Sequence, residues 1–307
     1  MVEESERSAV LPAPAASAAG RSGLLAEVTA LVGSEREAIW IVEHAETVAD
    51  DPLGTRALAL ALARRRGTGE PLQYVLGTWP FRAIELQVDR RVLIPRPETE
   101  RVVEVALGEL ARIASARSGG GEPLVCVDLG TGSGAIALSL AVEGPRGDVP
   151  LEVWATDASP EALEVARANL GRLAIRDGDA ADRVTLACGT WFDALPARLS
   201  RQVDLIVSNP PYVSEEEYGD LDPTVRDWEP RTALVASRGR SGVDGTADIE
   251  AVVAGAAGWL RGSGALVVEL DPAQASASVA LARRARFSRV ETARDLAGRV
   301  RMLVAER

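Results

Sequence analysis

The chain has 307 residues, 47% of them hydrophobic and 26% charged, and its 34 Lys and Arg against 45 Asp and Glu leave a net charge of −11. That length accommodates one large domain of about 200 residues and a second of roughly 50 to 100, and the acidic balance has the wrong sign for a protein held to nucleic acid mainly by phosphate neutralisation. Cys126 and Cys188 stand in apolar segments without CxxC or Cys/His spacing, which excludes a disulfide framework and a zinc site and reads as two reduced core thiols.

The chain opens on MVEESERSAV, acidic where a secretory leader is basic, and contains no run of about 18 uncharged apolar residues. It is therefore read as soluble, cytoplasmic and without a membrane partner. Residues 1–21, rich in Ala, Pro and Ser without periodicity, read as a disordered arm. Over 22–75 apolar residues recur at helical spacing: Leu24, Leu25, Val28 and Leu31, then Ile39, Trp40 and Val42, then Leu58, Leu60 and Leu62. Gly33-Ser34 and Asp50-Asp51-Pro52 break the pattern, which predicts a small helical domain. The single histidine, His44, falls on its second helix and reads as structural. Residues 76–96 alternate apolar and polar side chains and predict a β-hairpin linking two domains.

From Pro97 to residue 307 helices and strands alternate. Pro97 suits the first turn of a helix whose apolar face is Val102, Val103, Ala106, Leu107, Leu110 and Ile113. Strands are predicted at 123–128, 151–156, 183–187, 203–208, 264–270, 287–292 and 299–305, with helices at 134–143, 159–171, 246–260 and 272–285. Continuous apolar strands separated by helices predict an α/β domain built on a mainly parallel seven-stranded sheet covered on both faces. Ligands on such a sheet bind beyond the carboxyl ends of the strands.

The first strand runs into DLGTGSGAIAL, where Gly130, Gly132 and Gly134 permit a tight turn and close approach of backbone to a ligand. With Ala135 this also fits the relaxed dinucleotide pattern, so alone it is ambiguous. Asp157 ends the second strand; its carboxylate could accept both hydroxyls of a ribose, or it or Ser159 could cap the following helix. Trp191, after the third strand, could lie against an adenine or belong to the core.

The fourth strand ends in LIVSNPPYVS. Pro210 forces Asn209 into an extended conformation, and the prolines cannot continue a sheet ladder, so nearby carbonyls are left free. Asn209 and Pro210 thereby offer two acceptors to one incoming NH₂ group, with Pro211 and Tyr212 as walls of its slot. A planar amide or amino nitrogen is a poor nucleophile, and acceptors on its protons favour the charge it gains on attack. Its partner must be a strong electrophile such as a sulfonium methyl.

DLGTGSGAIAL, Asp157, NPPYV, VLGTWPFRAIELQVDRRVLIPRPETE and DWEPRTAL together resemble the HemK/PrmC family. Its members are S-adenosylmethionine-dependent protein-(glutamine-N5) methyltransferases that modify the Gly-Gly-Gln loop of peptide chain release factors. The NPPY tetrapeptide is shared with nucleic-acid amino methyltransferases, which act on adenine or guanine and form the alternative reading; the LIPRPETE block is far more specific. The resemblance implies a Rossmann-like class I methyltransferase fold with Gly130, Thr131, Gly132, Ser133 and Gly134 at the methionine part of S-adenosylmethionine, Asp157 at its ribose and Trp191 at its adenine. Asn209 would touch cofactor and substrate, and Asn209, Pro210 and Tyr212 would be the catalytic group. It further implies a release factor as protein substrate held by the helical domain, with no direct nucleic-acid partner, and a monomer is expected. The chain departs from the family in a longer segment, VASRGRSGVDG at 235–245, which ends in Asp244-Gly245.

Overall fold

The computed structural model describes residues 18–117, 122–145 and 150–307. They divide into two compact units between Leu76 and Gly77.

The first unit consists of four helices, Ala18–Val32, Glu35–Val48, Pro52–Gly67 and Leu72–Leu76. Most of the expected N-terminal arm lies outside the described residues, but its last four residues, 18–21, already belong to the first helix. The second helix is capped by Ser34 Oγ, which accepts from Glu37 N; the third by Asp51, which accepts from Leu53 N and Gly54 N ahead of Pro52. The core is formed by Leu24, Val28, Ala38, Ile41, Val42, Ala45, Leu62 and Val75. On the second helix Ile41 is fully buried and Ile39 and Trp40 only partly, a shift of the buried face by about one residue from the periodicity. The Trp40 ring is covered by the Arg36 guanidinium, 4.8 Å from its centroid, which lets an aromatic remain at the surface.

The second unit begins with the hairpin of β1 (Thr78–Phe81) and β2 (Ile84–Gln87), closed through Arg82 at φ +49°. The remaining strands form one seven-stranded sheet: β3 (Leu124–Leu129), β4 (Leu151–Asp157), β5 (Val184–Cys188), β6 (Val203–Ser208), β7 (Leu260–Glu269), β8 (Arg289–Arg294) and β9 (Val300–Glu306). Its order is β5-β4-β3-β6-β7-β9-β8, and only β9 runs antiparallel to its neighbours. The central strands β3 and β6 are buried at every residue, because helices cover both faces; this is why they read as unbroken apolar runs. No helix among the described residues is long and apolar enough to cross a membrane.

Three details differ from the sequence pattern. β7 starts at Leu260, ahead of 264, and an irregular register against Val203/Leu205 absorbs Arg261 to Gly264. The helix expected over 272–285 is a 3₁₀ turn, Pro272–Gln274, followed by a helix at Ala275–Arg284, because Asp271 and Gln274 form a capping box at the turn. Cys126 is buried in β3, whereas Cys188 is exposed: it ends β5, an edge strand whose outer neighbour is solvent.

The chain reverses direction of strand addition at β3. From there it proceeds to β4 and β5 on one side and returns through β6 and β7 on the other, so the crevice opens beyond the ends of β3 and β6. Leu129 pairs with Ser208 on one side and with Thr156 on the other. The next residues on the three strands are Gly130, Asn209 and Asp157. Sheet register alone therefore brings the glycine turn, the NPPY segment and the acidic strand end to one edge.

Candidate active site

A cavity of about 720 Å³ occupies that crevice, a size suited to a nucleotide-sized ligand. Gly130, Thr131, Gly132 and Ser133 form its floor, Asp157 and Trp191 one side, and Asn209 and Pro211 the other.

The glycine turn is shaped by Asp128. This side chain is fully buried at the end of β3, and its Oδ2 accepts from the Thr131 hydroxyl at 2.6 Å and from Ala137 N at 3.1 Å. Burial pushes its carboxyl up to about 7, and Oδ1 has no hydrogen-bond partner among the described residues. Gly130 and Gly132 adopt φ +74° and +55°, conformations that a side chain would strain. Gly130 N and Thr131 N both donate to Thr156 O, and Gly132 N donates to Asp157 Oδ2 at 2.8 Å. The three amides are thus consumed within the protein, and the turn offers its bare glycine faces to the cavity. Gly134 does not line it. Its φ is +87°, a conformation that a side chain would strain, and a Cβ there would also crowd Leu138 Cδ1 at 3.2 Å.

Asp157 takes one backbone amide on each oxygen, Gly132 N on Oδ2 and Ser159 N on Oδ1. Each oxygen retains a lone pair, an arrangement that fits a vicinal diol, while Ser159 Oγ caps the helix Pro160–Arg176. Desolvation raises the Asp157 carboxyl above its ordinary range, opposed by those amides. Trp191 both packs against the sheet's core and lines the cavity. Its φ of +48° is uncommon for an aromatic, and a Cβ at Gly130 would come within 3.6 Å of its ring.

Asn209 is partly buried and its Nδ2 donates to Thr99 Oγ1 at 3.2 Å; no bond within the described residues reaches Oδ1. Nor does any reach the Pro210 carbonyl, as expected where prolines interrupt a ladder. Pro210 and Tyr212 do not themselves line the cavity. Pro210 is buried, and the Tyr212 ring packs on the sheet's core, with its backbone carbonyl accepting from Gln274 Nε2 at 2.8 Å.

Several supporting residues were not singled out by the sequence pattern. Thr99, in the first turn of the helix Pro97–Ala116, lies within PRPETE and lines the cavity, as do Arg90, Arg91, Thr232 and Asp248. Asn169 ties the glycine turn to the hairpin: its Nδ2 donates to Ser133 O at 2.9 Å and to Gln87 O at 3.0 Å. Buried Glu229, from DWEPRTAL, accepts from Ile94 N at 3.0 Å and from Arg96, which explains why that block accompanies LIPRPETE. The signal in the sequence was the co-occurrence of the two blocks; their contact was not visible.

A doubly wound sheet of this order, with a glycine turn, an acidic strand end and the Asn209 and Pro211 of an Asn-Pro-Pro-Tyr segment at one cavity, defines a Rossmann-like class I methyltransferase that uses S-adenosylmethionine. The Methyltransferase small domain family matches residues 122–221. The chain is 41% identical to the release factor glutamine methyltransferase of Gloeobacter violaceus, over 80% of this chain and 78% of that one. With the protein of the same name from Bordetella pertussis it shares 40% identity over 86% and 87% of the two chains, and with that of Rhodopirellula baltica 39% over 79% and 75%. The chain belongs to the release factor glutamine methyltransferase family.

Proposed function

We propose that this protein transfers the methyl group of S-adenosylmethionine to the side-chain amide nitrogen of a glutamine in a peptide chain release factor, at its Gly-Gly-Gln motif. The observation that carries this reading is the pair of acceptors that take no hydrogen bond from the described residues, Asn209 Oδ1 and the Pro210 carbonyl, next to a cavity that also holds Asp157. S-adenosylmethionine, when bound, supplies an electrophilic methyl that needs no further activation.

The chain's own residues then have three tasks. Asp157 holds the ribose hydroxyls, Gly130, Thr131, Gly132 and Ser133 make room for the methionine part, and Trp191 covers the adenine. Asn209 Oδ1 and the Pro210 carbonyl accept hydrogen bonds from the two N–H groups of the glutamine amide, with Pro211 and Tyr212 bounding the slot. They stabilise the positive charge that develops on nitrogen as it bonds to the methyl carbon and the carbon–sulfur bond breaks; the nitrogen then loses one proton to solvent. Holding both reactants in line supplies much of the rate. The four-helix unit is assigned to the protein substrate. The relatives, named for release factor glutamine methylation, favour a protein over adenine or guanine in a nucleic acid.

A tritium-methyl transfer assay offering release factor, DNA and RNA in parallel, followed by mass-spectrometric location of the label, tests this. Label is expected on a release-factor glutamine. Asn209→Ala is expected to lower kcat by about 10²-fold or more, as for loss of one preorganised transition-state contact, with cofactor affinity changed less than about threefold. Label on DNA or RNA alone, or normal turnover by the Ala variant, would refute it.

A further inference from the structure

Asn209 has two chemically opposite ends, and only one of them serves a substrate NH₂ group. Presenting Oδ1 accepts its protons; presenting Nδ2 repels them. What decides between the two lies behind Asn209. Its Nδ2 donates to Thr99 Oγ1 at 3.2 Å, and the Thr99 hydroxyl donates to Glu269 Oε2 at 2.8 Å. Glu269 is the last residue of β7 and is 1% exposed. A hydroxyl has one proton. An ionised carboxylate can only accept, so it claims that proton and leaves Thr99 to accept from Asn209, which fixes Oδ1 on the side of the substrate.

We propose that Glu269 is a positioning residue which, through the Thr99 hydroxyl, sets which end of the Asn209 amide faces the glutamine. The proposal rests on the glutamine-amide reading above and names the device that orients its acceptor. Protonation of Glu269 reverses the chain: the carboxyl donates to Thr99, Thr99 donates to Asn209 Oδ1, and the NH₂ turns outward.

The groups facing Glu269 come from each element around it. Thr99 and Glu98 belong to the helix Pro97–Ala116, Tyr212 follows β6, and Arg301 comes from β9; the charges of Arg96 and Asp271 act on Tyr212. Burial is the largest influence and pushes the Glu269 carboxyl up to about 7, with Thr99, Arg301 and Tyr212 opposing and Glu98 reinforcing it. The orientation of Asn209 therefore changes within the pH range in which the enzyme can be assayed.

The test combines single-turnover methyl transfer to a release factor from pH 5.5 to 9 with nitrogen-15 NMR of the Asn209 side-chain NH₂ over the same range. In the wild type the rate is expected to fall about tenfold per pH interval below a midpoint near 7, and the NH₂ signal to titrate with the same midpoint. Glu269→Gln removes both the acid limb and the titration. Thr99→Val lowers the rate about 10- to 100-fold with cofactor affinity within about threefold, and Thr99→Ser, which keeps the hydroxyl, restores most of it. Retention of the acid limb and the titration in Glu269→Gln, or wild-type turnover by Thr99→Val, would overturn the proposal. Should the wild type transfer no methyl to glutamine, the functional reading fails, and the NMR titration still decides whether Glu269 orients Asn209.

Discussion

Replacing Glu229 tests how the two walls of the cavity are held. Its carboxylate is buried between them, accepting from the Ile94 amide at 3.0 Å and from the Arg96 guanidinium. Residues 90–93 and Pro95 line one wall, and Pro230 and Thr232, just beyond Glu229, line another. Glu229→Ala strands the Ile94 amide, which is 2% exposed; a buried donor left without its acceptor costs about 1–3 kcal/mol. The Arg96 side chain is 30% exposed and can rehydrate, so its loss is smaller than the roughly 3–5 kcal/mol of a fully buried broken pair. Burial already holds the Glu229 carboxyl above its ordinary range, so part of the loss is recovered as relieved desolvation. The expected destabilisation is about 2–3 kcal/mol. Glu229→Gln retains an oxygen for Ile94 and should lose less than half of that. Urea unfolding followed by tryptophan fluorescence measures both, since Trp228 is the preceding residue. Equal losses for Ala and Gln, or an Ala variant within about 0.5 kcal/mol of wild type, would show that the Ile94 bond does not secure the wall.

Two further outcomes follow from the same coordinates. Gly245 has φ +69° and a Cβ there would lie 2.2 Å from Tyr212 O, whereas Gly242, at φ +80°, has nothing within 4 Å. Gly242→Ala should therefore cost only the backbone penalty of about 1–2 kcal/mol. Gly245→Ala should cost more in urea unfolding and also lower kcat at least about tenfold by displacing the NPPY segment; equal effects of the two would refute this. The pH dependence of stability has a definite sign. Burial raises Asp128 and Glu269 to about 7, so the folded protein keeps protons that the unfolded chain releases near pH 4. Their contribution is complete below about pH 4 and is lost as pH rises through 7, so unfolding free energy should fall by a few kcal/mol between pH 5 and pH 8. Asp89, Glu104 and Glu109 are lowered and act only at more acid pH. A rise in stability over that interval would contradict the assignment.

The sheet was legible because its central strands are buried on both faces and so have no polar alternation to obscure them; edge strand β5 shows the converse. None of its residues is buried, and Cys188, at its end, lies at the surface although its neighbours in sequence are apolar. Asn209, Asp157 and the glycine turn were legible as strand-end features, since the carboxyl edge of a parallel sheet can be located without knowing its contacts. Gly134 shows the limit of that reasoning: its place in the turn is visible in the sequence, but its left-handed φ of +87° and its position outside the cavity lining are not.

What sequence could not convey is partnership at long range. Thr99 and Glu269 are 170 residues apart, and Asn209 and Thr99 110 apart, yet they form one chain of hydrogen bonds. Each residue alone is ordinary: a threonine in a helix's first turn, a glutamate ending a strand, an asparagine before proline. The tetrapeptide specifies that an amide side chain stands at the cavity but leaves its two ends equivalent, because the oxygen and nitrogen are interchangeable in shape. Only an acceptor-only group behind it removes that equivalence. The chemistry of the site thus resides partly in a carboxylate that no substrate atom needs to touch, and for that reason no local motif around Asn209 could have revealed it.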